Sequence, residues 1–304
     1  MRSIELASRR QRRQDRAFAI AGGVVTALSA CVLVVLLADL AIDGLGSIDW
    51  SFLSSYPSRD PDRAGILPAW VGSLLVMLVC GLTAIPIGVG AGIFLEEYAR
   101  KNWFTAAIEI NITNLAGVPS IVYGLMALGL LVYRFEMGQS VAAGGITLGF
   151  LVLPIIIVAT REALRSIPQR MREAAYAVGA SRWQVVKDHI LPYSAGGIAT
   201  GIIIALSRAI GETAPLITIG ALTFIAFLPP APIATEPELI VQPLEWLGSP
   251  FTVLPIQMFN WVSRPGTDFV HNAAATGLVL VAVTLCMNAV AIVIRYRMRK
   301  RIQW

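Results

Sequence analysis

One arginine and one glutamate stand out because they lie inside an apolar stretch of the chain. Arg208 and Glu212 are four residues apart in the run SRAIGETAPL, so on a helix they share one face. A charged side chain at the centre of a bilayer costs about 2.5–3.5 kcal/mol on insertion scales, which makes each a candidate functional residue. The alternative is a mutual ion pair that only fixes the packing of helices.

The chemistry of this pair favours an anion over a cation. The guanidinium of Arg208 offers five N–H donors in a planar fork that matches a tetrahedral oxyanion, and it keeps its charge at working pH. Glu212 would balance that charge when no anion is bound, and it could accept a hydrogen bond from a protonated oxyanion. We therefore hypothesise a transient substrate site that prefers hydrogenphosphate to sulfate.

Long apolar runs must hold this pair. The chain has 304 residues, of which 56% are hydrophobic, and its mean hydropathy is +0.69. Several apolar runs reach about 20 residues, the length that crosses a bilayer as a helix. The sequence predicts an all-α polytopic membrane protein with six transmembrane helices and excludes a soluble fold. The expected division is a basic cytoplasmic N-terminus at 1–16, a first transmembrane helix at 17–42, an extracytoplasmic linker at 43–69, a core of five transmembrane helices at 70–294 and a basic cytoplasmic C-terminus at 295–304.

The basic residues support this topology. With both termini in the cytoplasm, 19 of the 24 lysines and arginines fall on the cytoplasmic side, as the positive-inside rule requires. Arg208 is then inside the fifth helix, which is expected to run from Pro192 to about Phe227. Topology also explains the net charge of +5, so lipid is the expected surrounding and no nucleic acid is expected as a partner.

Neither a cofactor nor a nucleotide site is predicted for this chain. Cys31, Cys80 and Cys286 all lie in apolar runs without a C-x-x-C motif, so we interpret them as buried small hydrophobic residues. The sequence contains no Gly-Lys dipeptide and hence no P-loop. If ATP drives the protein, another chain must bind it.

A charged loop at 161–192 is too polar for hydrocarbon and must lie outside the membrane. S-x-x-Q capping patterns begin at Ser166 and at Ser181, and Gly179 between them is suited to a left-handed turn. The loop is therefore predicted to form two short helices, with the next break at Pro192.

The first of these helices has the features of a docking surface. Ala174 and Ala175 are small enough for close approach by another protein, and Glu173 adds a charge beside them. The alternative is an ordinary solvated loop.

A second irregularity is expected in the third span, at 115–133. The sequence Gly-Val-Pro-Ser at 117–120 interrupts the helical pattern, and broken backbone is tolerated in membranes chiefly where it is buried or lines a wet cavity. Ser120, Tyr123 and Asn114 are therefore candidate residues along a translocation pathway. A plain kink is an equal alternative.

The loop resembles a known family. Glu173-Ala174-Ala175, Gly179 and Leu191-Pro192 are similar to the EAA loop of ABC-type import permeases, in which a coupling helix seats in a cleft of the ATP-hydrolysing subunit. One departure is His189, which stands where the usual pattern has isoleucine.

Two further motifs narrow the resemblance. GVPSIVYGL at 117–125 and SRAIGETAPL at 207–216, together with the EAA loop, resemble the A-type permeases of bacterial phosphate importers of the Pst system. The resemblance implies a type I, MetI-like fold in the bacterial cytoplasmic membrane. It also implies a heterodimer with a homologous C-type permease, a dimer of ATP-binding subunits that hold ATP and magnesium, and an extracytoplasmic phosphate-binding protein. Such a chain has no catalytic residues of its own.

Other functions stay open on sequence grounds. The EAA loop is shared with permeases for sulfate or molybdate, and a membrane component of phosphate sensing is a different class of function. A secondary transporter is disfavoured by the small number of spans and by the docking-type loop.

Overall fold

The computed structural model describes residues 2–221, 224–230, 244–264 and 268–300, with side chains described from residue 14 to residue 297 within those ranges. Every regular element in these ranges is helical, which confirms the predicted all-α class. The helices are α1 (Arg2–Gly44), α2 (Trp50–Ser54), α3 (Leu67–Ile93), α4 (Trp103–Leu115), α5 (Ser120–Ala127), α6 (Val141–Arg165), α7 (Gln169–Ala177), α8 (Arg182–Gln184), α9 (Leu191–Gly211), α10 (Ala214–Thr218), α11 (Glu245–Gly248), α12 (Leu254–Val262) and α13 (Asp268–Lys300).

Five helical segments in the described part of the chain are long and apolar enough to cross a membrane. They are Gln14–Ser47, Leu67–Tyr98, Val141–Arg165, Arg182–Gly211 and Asp268–Arg297. A sixth crossing arises only if Trp103–Leu115 and Ser120–Arg134 count as one span, and these two segments are bent by 105°. The polytopic fold is therefore as predicted, and the third span is broken near the predicted interruption at 117–120.

The core forms where α3, α6 and α9 pack side by side. Small residues bring α3 close to α6, since a methyl group added at Gly88 or Gly92 would collide with Ile156 or Thr160. The last helix, α13, packs against α9, α12 and α1. In contrast, the apolar stretch of α1 is exposed along the part of the helix whose side chains are described.

The predicted break at Pro192 and the predicted end of the fifth span both differ from the structure. The helix continues from Arg182 through Pro192 to Gly211, so the expected break at Pro192 is wrong. A π-helical turn at Val185–Ile190 widens the helix where proline cannot supply the usual backbone donor. The helix then ends at Gly211 and not near Phe227.

The proline-rich sequence at 229–265 predicts outer-surface structure with interfacial helices near its tryptophans, and two short helices are present there. Trp246 lies in α11 and Trp261 in α12. However, α12 is not a surface element, because Leu254, Gln257 and Trp261 are fully buried among α3, α13 and the outer linker. Residues 231–243 and 265–267, which lie within and directly after this segment, are outside the described ranges.

The three cysteines do not share one environment. Cys80 is buried in the core, as expected for a small hydrophobic residue. Cys31 and Cys286 are exposed on α1 and α13, so the prediction of burial is wrong for these two. Both lie on long apolar helices whose outer faces this chain does not cover by itself.

Candidate functional site

The predicted charge pair lies at the end of α9. Arg208 is in the last helical turn, and Glu212 follows the helix with an extended backbone. Nε of Arg208 donates to Oε1 of Glu212 at 3.2 Å, so the two side chains meet as their spacing predicted. The site is a helix terminus instead of the middle of a span, and an arginine there also faces the partial negative charge of the last carbonyls.

Pro215 explains why the helix ends at this point. A continuing helix would need the backbone N–H of residue 215 to bond the carbonyl of Gly211, and proline has none. The ring of Pro215 would also collide with the carbonyl of Gly211 in a continuous helix. The chain therefore turns at Glu212 and re-enters a helix only over α10.

The pair is only partly covered. The side chain of Arg208 is 42% exposed and that of Glu212 is 19% exposed. Within the described ranges, Glu212 is the one carboxylate that lies in ion-pair distance of Arg208. One carboxylate oxygen therefore meets one of five guanidinium donors, which leaves capacity for an oxyanion.

The predicted break of the third span is present, and the carbonyl that Pro119 cannot bond has other donors. α4 ends at Leu115 and α5 begins at Ser120, directly after Pro119. The carbonyl of Leu115, which Pro119 cannot bond, accepts from the N–H of Val118 at 3.1 Å and from the hydroxyl of Tyr123 at 2.9 Å. Tyr123 is thus a buried residue that closes the bend.

The two sequence motifs meet in space. Gly124 of α5 lies against α10, and a methyl group at this glycine would come within 2.7 Å of the Pro215 backbone. Glu212 stands two residues before the start of α10. The broken third span and the broken fifth span therefore pack together, with the Arg208–Glu212 pair beside their junction.

The other two candidate pathway residues are more exposed than Tyr123. Ser120 is partly buried at the start of α5. Asn114 is exposed near the end of α4 and lines a cavity of about 320 Å³ together with Glu109, Arg161 and Arg165. The structure therefore places Asn114 beside the charged end of α6.

The charged loop forms two helices around a left-handed glycine, as predicted. Gly179 has φ +87°. Ser181 and Gln184 form the expected capping box, with the N–H of Ser181 donating to the Gln184 side chain at 2.7 Å. The other capping prediction is wrong: Ser166 follows α6 and donates to the carbonyl of Ala163, while Pro168 precedes α7.

The predicted docking residues divide by exposure. Glu173 and Ala174 are exposed on α7. Ala175 is buried in a small cluster with Leu164, Val185 and others, so it supports the helix from inside. The face available to another protein is therefore smaller than the sequence alone indicates.

Sequence reasoning missed the charges that hold this loop. Arg161 is a buried residue of α6, and Nη2 lies 2.6 Å from Oε1 of Glu109 in α4. The nitrogen–oxygen distances of Arg161 define ion pairs, although the angles are too poor for hydrogen bonds. Arg172 of α7 pairs with Glu97 at 2.8 Å. The partners are 52 and 75 residues apart in sequence, so no local pattern could have revealed them.

Comparisons with known proteins agree with this architecture. Residues 84–304 match the family described as binding-protein-dependent transport system inner membrane component. The phosphate transport system permease protein PstA of Yersinia pestis is 31% identical over 95% of this chain and 92% of its own length. The probable ABC transporter permease protein YqgI of Bacillus subtilis strain 168 is 33% identical over 74% of this chain and 78% of its own length.

A solved structure supports the fold alone. A chain of the MetNI methionine ABC transporter in an inward-facing conformation has a TM-score of 0.58 and 17% identity, and it covers 75% of this chain and 93% of its own. This likeness agrees with the expected MetI-like arrangement. The chain therefore belongs to the family of binding-protein-dependent transport system inner membrane components, the permeases of ABC importers.

Proposed function

We propose that this chain is the permease subunit of an ABC importer that carries inorganic phosphate across the bacterial cytoplasmic membrane. The observation that supports phosphate most directly is the partly exposed Arg208–Glu212 pair at the junction of two broken spans. A guanidinium with unused donors suits a tetrahedral oxyanion, and the neighbouring carboxylate suits one that carries a proton. The relatives named as phosphate permeases support the same substrate.

Transport requires partner chains in this proposal. A homologous C-type permease would complete the pathway as a heterodimer, and an extracytoplasmic phosphate-binding protein would deliver the substrate. A dimer of ATP-binding subunits would hold ATP and magnesium and would hydrolyse the nucleotide. The exposed face of α7, with Glu173 and Ala174, would contact that dimer. This face and both termini would lie on the cytoplasmic side of the membrane.

Within the permease, the proposed roles follow from position. Arg208 and Glu212 would hold the anion during passage, because they combine partial exposure with a single ion pair. Ser120 would border the same path, since it opens the helix that packs on α10. Tyr123 would fix the bend that lets α5 reach this place.

The experiment is uptake in cells that depend on this importer for phosphate. Labelled phosphate should accumulate, and a hundred-fold excess of unlabelled sulfate should leave uptake unchanged. Co-purification in mild detergent should recover an ATPase and a second permease. Inhibition by sulfate or molybdate would assign the chain to another oxyanion. Signalling that continues after all transport is abolished would favour a sensing component.

A further inference from the structure

Two adjacent glutamates at the end of α3 contact two other helices. Glu96 and Glu97 lie in a π-helical turn, Phe94–Tyr98, directly after α3. Oε1 of Glu97 accepts from Nη2 of Arg172 at 2.8 Å, and the two side chains are 7% and 12% exposed. Oε2 of Glu96 lies 2.9 Å from Nε of Arg165 and 3.5 Å from Nε of Arg161. The π turn therefore joins α3 to both α6 and α7.

Arg172 is the anchor of α7. Besides its contact with Glu97, Nη1 donates to the carbonyl of Ile167 at 2.7 Å and Nη2 donates to the carbonyl of Leu164 at 2.9 Å. The carbonyl of Leu164 lies in the last turn of α6, and that of Ile167 lies two residues beyond the helix. One side chain thus fixes the first turn of α7 to α6 and to the π turn.

The chain of contacts continues to α4 and then to the substrate site. Arg161 bridges Glu96 and Glu109, and it is 7% exposed. Glu109 lies in the middle of α4, whose last carbonyl accepts from Tyr123 of α5. α5 packs on α10 beside Arg208 and Glu212. Ion pairs and a hydrogen bond therefore connect α7 to α5 through the π turn, α6 and α4, and α5 packs beside the proposed anion site.

We propose that Glu96 and Glu97 are positioning residues that transmit a displacement of α7 to α4, and through α4 to the anion site. The proposal rests on the proposed function, in which α7 contacts the ATPase. The buried hydrogen bond between Arg172 and Glu97, and the buried Arg161 that pairs with two carboxylates, hold together the elements they join, whereas exposed pairs impose little constraint. The competing explanation is that these pairs only stabilise the fold.

The test uses the assembled importer in proteoliposomes, with its partner subunits and its binding protein. ATP hydrolysed and labelled phosphate delivered are both measured for Glu97→Gln and Glu109→Gln. We expect the number of ATP molecules hydrolysed per phosphate to rise about ten-fold in each, within the usual range of coupling between sites. Subunit stoichiometry should be unchanged. The matched control is Glu162→Gln, whose carboxylate is 66% exposed and should leave the ratio as in the wild type.

The double variant separates a route from two independent effects. If Glu97 and Glu109 act in one route, the variant that combines Glu97→Gln with Glu109→Gln should hydrolyse no more ATP per phosphate than the more severe single variant. Multiplied effects, or a wild-type ratio in both single variants, would overturn the proposal. A wild-type importer that delivers no phosphate would instead refute the proposed function.

If the variants do not assemble, a measurement that leaves the wild-type ion pairs in place still tests the proposal. Spin labels at Gln169 of α7 and Ile110 of α4, both exposed, should keep one mutual distance with and without ATP, although each helix moves relative to α1. A change in that distance between the two states would show that α7 and α4 move separately and would overturn the proposal.

Discussion

The molecule uses the same two side chains, arginine and glutamate, in two different ways. At the end of α9, Arg208 and Glu212 are 42% and 19% exposed and share one contact. At the base of the charged loop, Arg172 and Glu97 are 12% and 7% exposed, and Arg172 also donates to two carbonyls. The difference shows that side-chain burial and the number of guanidinium hydrogen bonds, more than residue type, distinguish a candidate ligand site from a structural anchor.

The distinction has an energetic basis. A buried pair that loses one partner leaves an uncompensated charge, while a partly exposed partner can turn to water. Arg172 already uses three of its five donors, for Glu97 and for two carbonyls, so an anion would have to compete with these bonds. We therefore propose that Arg208, which has a single ion pair, is the arginine that binds a passing oxyanion and then returns to Glu212.

The largest effect is expected at Arg161, on the buried side of the comparison. Arg161→Gln leaves Glu96 and Glu109 without their shared cation and should lower the free energy of unfolding by about 3 kcal/mol. The measurement is the thermal midpoint of the purified complex in detergent. Arg165→Gln, at a side chain that is 46% exposed, is the matched control. Equal midpoints for the two variants would remove the difference between buried and exposed pairs.

A second effect is expected where the two broken spans meet. Gly124→Ala places a methyl group against the backbone of Pro215 and should cost about 1–3 kcal/mol of local packing. Phosphate uptake should fall while the membrane level of the protein is retained, since α5 is displaced from the anion site. Gly129→Ala is the control, because nothing lies within 4 Å of the added group. Equal uptake by both variants would show that the junction plays no part in transport.

A smaller effect is expected at the turn that sets the loop helices. Gly179→Val imposes a left-handed backbone on a β-branched residue, which costs about 1–2 kcal/mol although the surroundings are open. Binding of the ATPase should weaken, as measured by co-purification and by transport-coupled ATP hydrolysis. Gly90→Val, at an exposed helical position, should leave both unchanged. Intact assembly and coupling in Gly179→Val would contradict the docking role of α7.

The smallest effect on stability is expected at Ser120. In a chain with Cys31 and Cys286 replaced by serine, Ser120→Cys should fold normally and react with a small charged thiol reagent. Phosphate should slow the reaction if Ser120 borders the path. Buried Cys80 is retained as the internal control for inert thiols. Complete inertness of Ser120→Cys in every transport state would place this residue away from the pathway.

The comparison also explains how far the sequence could be used. Arg208 and Glu212 were found because the cost of charge in an apolar run is a local signal, and the break at Pro119 was found because proline lacks a donor. The end of α9 was missed because the effect of Pro215 competed with a long apolar run that looked continuous. The start of α7 was missed because Ser166 had two helices to cap and bonds the earlier one.

The buried pairs were beyond the sequence for a different reason. Glu96 and Glu97 look like ordinary residues that return the chain to the cytoplasm, and Arg161 looks like the first residue of a polar loop. Their partners come from helices distant in sequence, so only the packing of α3, α4, α6 and α7 reveals them. Local propensity predicts that helices exist, whereas non-local packing decides which charges are covered.

The central claim is that Arg208 serves the passing anion and not the fold. Arg208→Gln keeps a polar side chain of similar reach and removes the charge, and Glu212 can then be relieved by water or by a proton. The direct measurement is labelled phosphate uptake, normalised to membrane level and to co-purified partner subunits, with Arg208→Lys in parallel. We predict normal assembly with uptake lost in Arg208→Gln and at best intermediate in Arg208→Lys, because a point charge lacks the planar fork. Normal uptake by Arg208→Gln, or disappearance of the protein from the membrane, would contradict the claim.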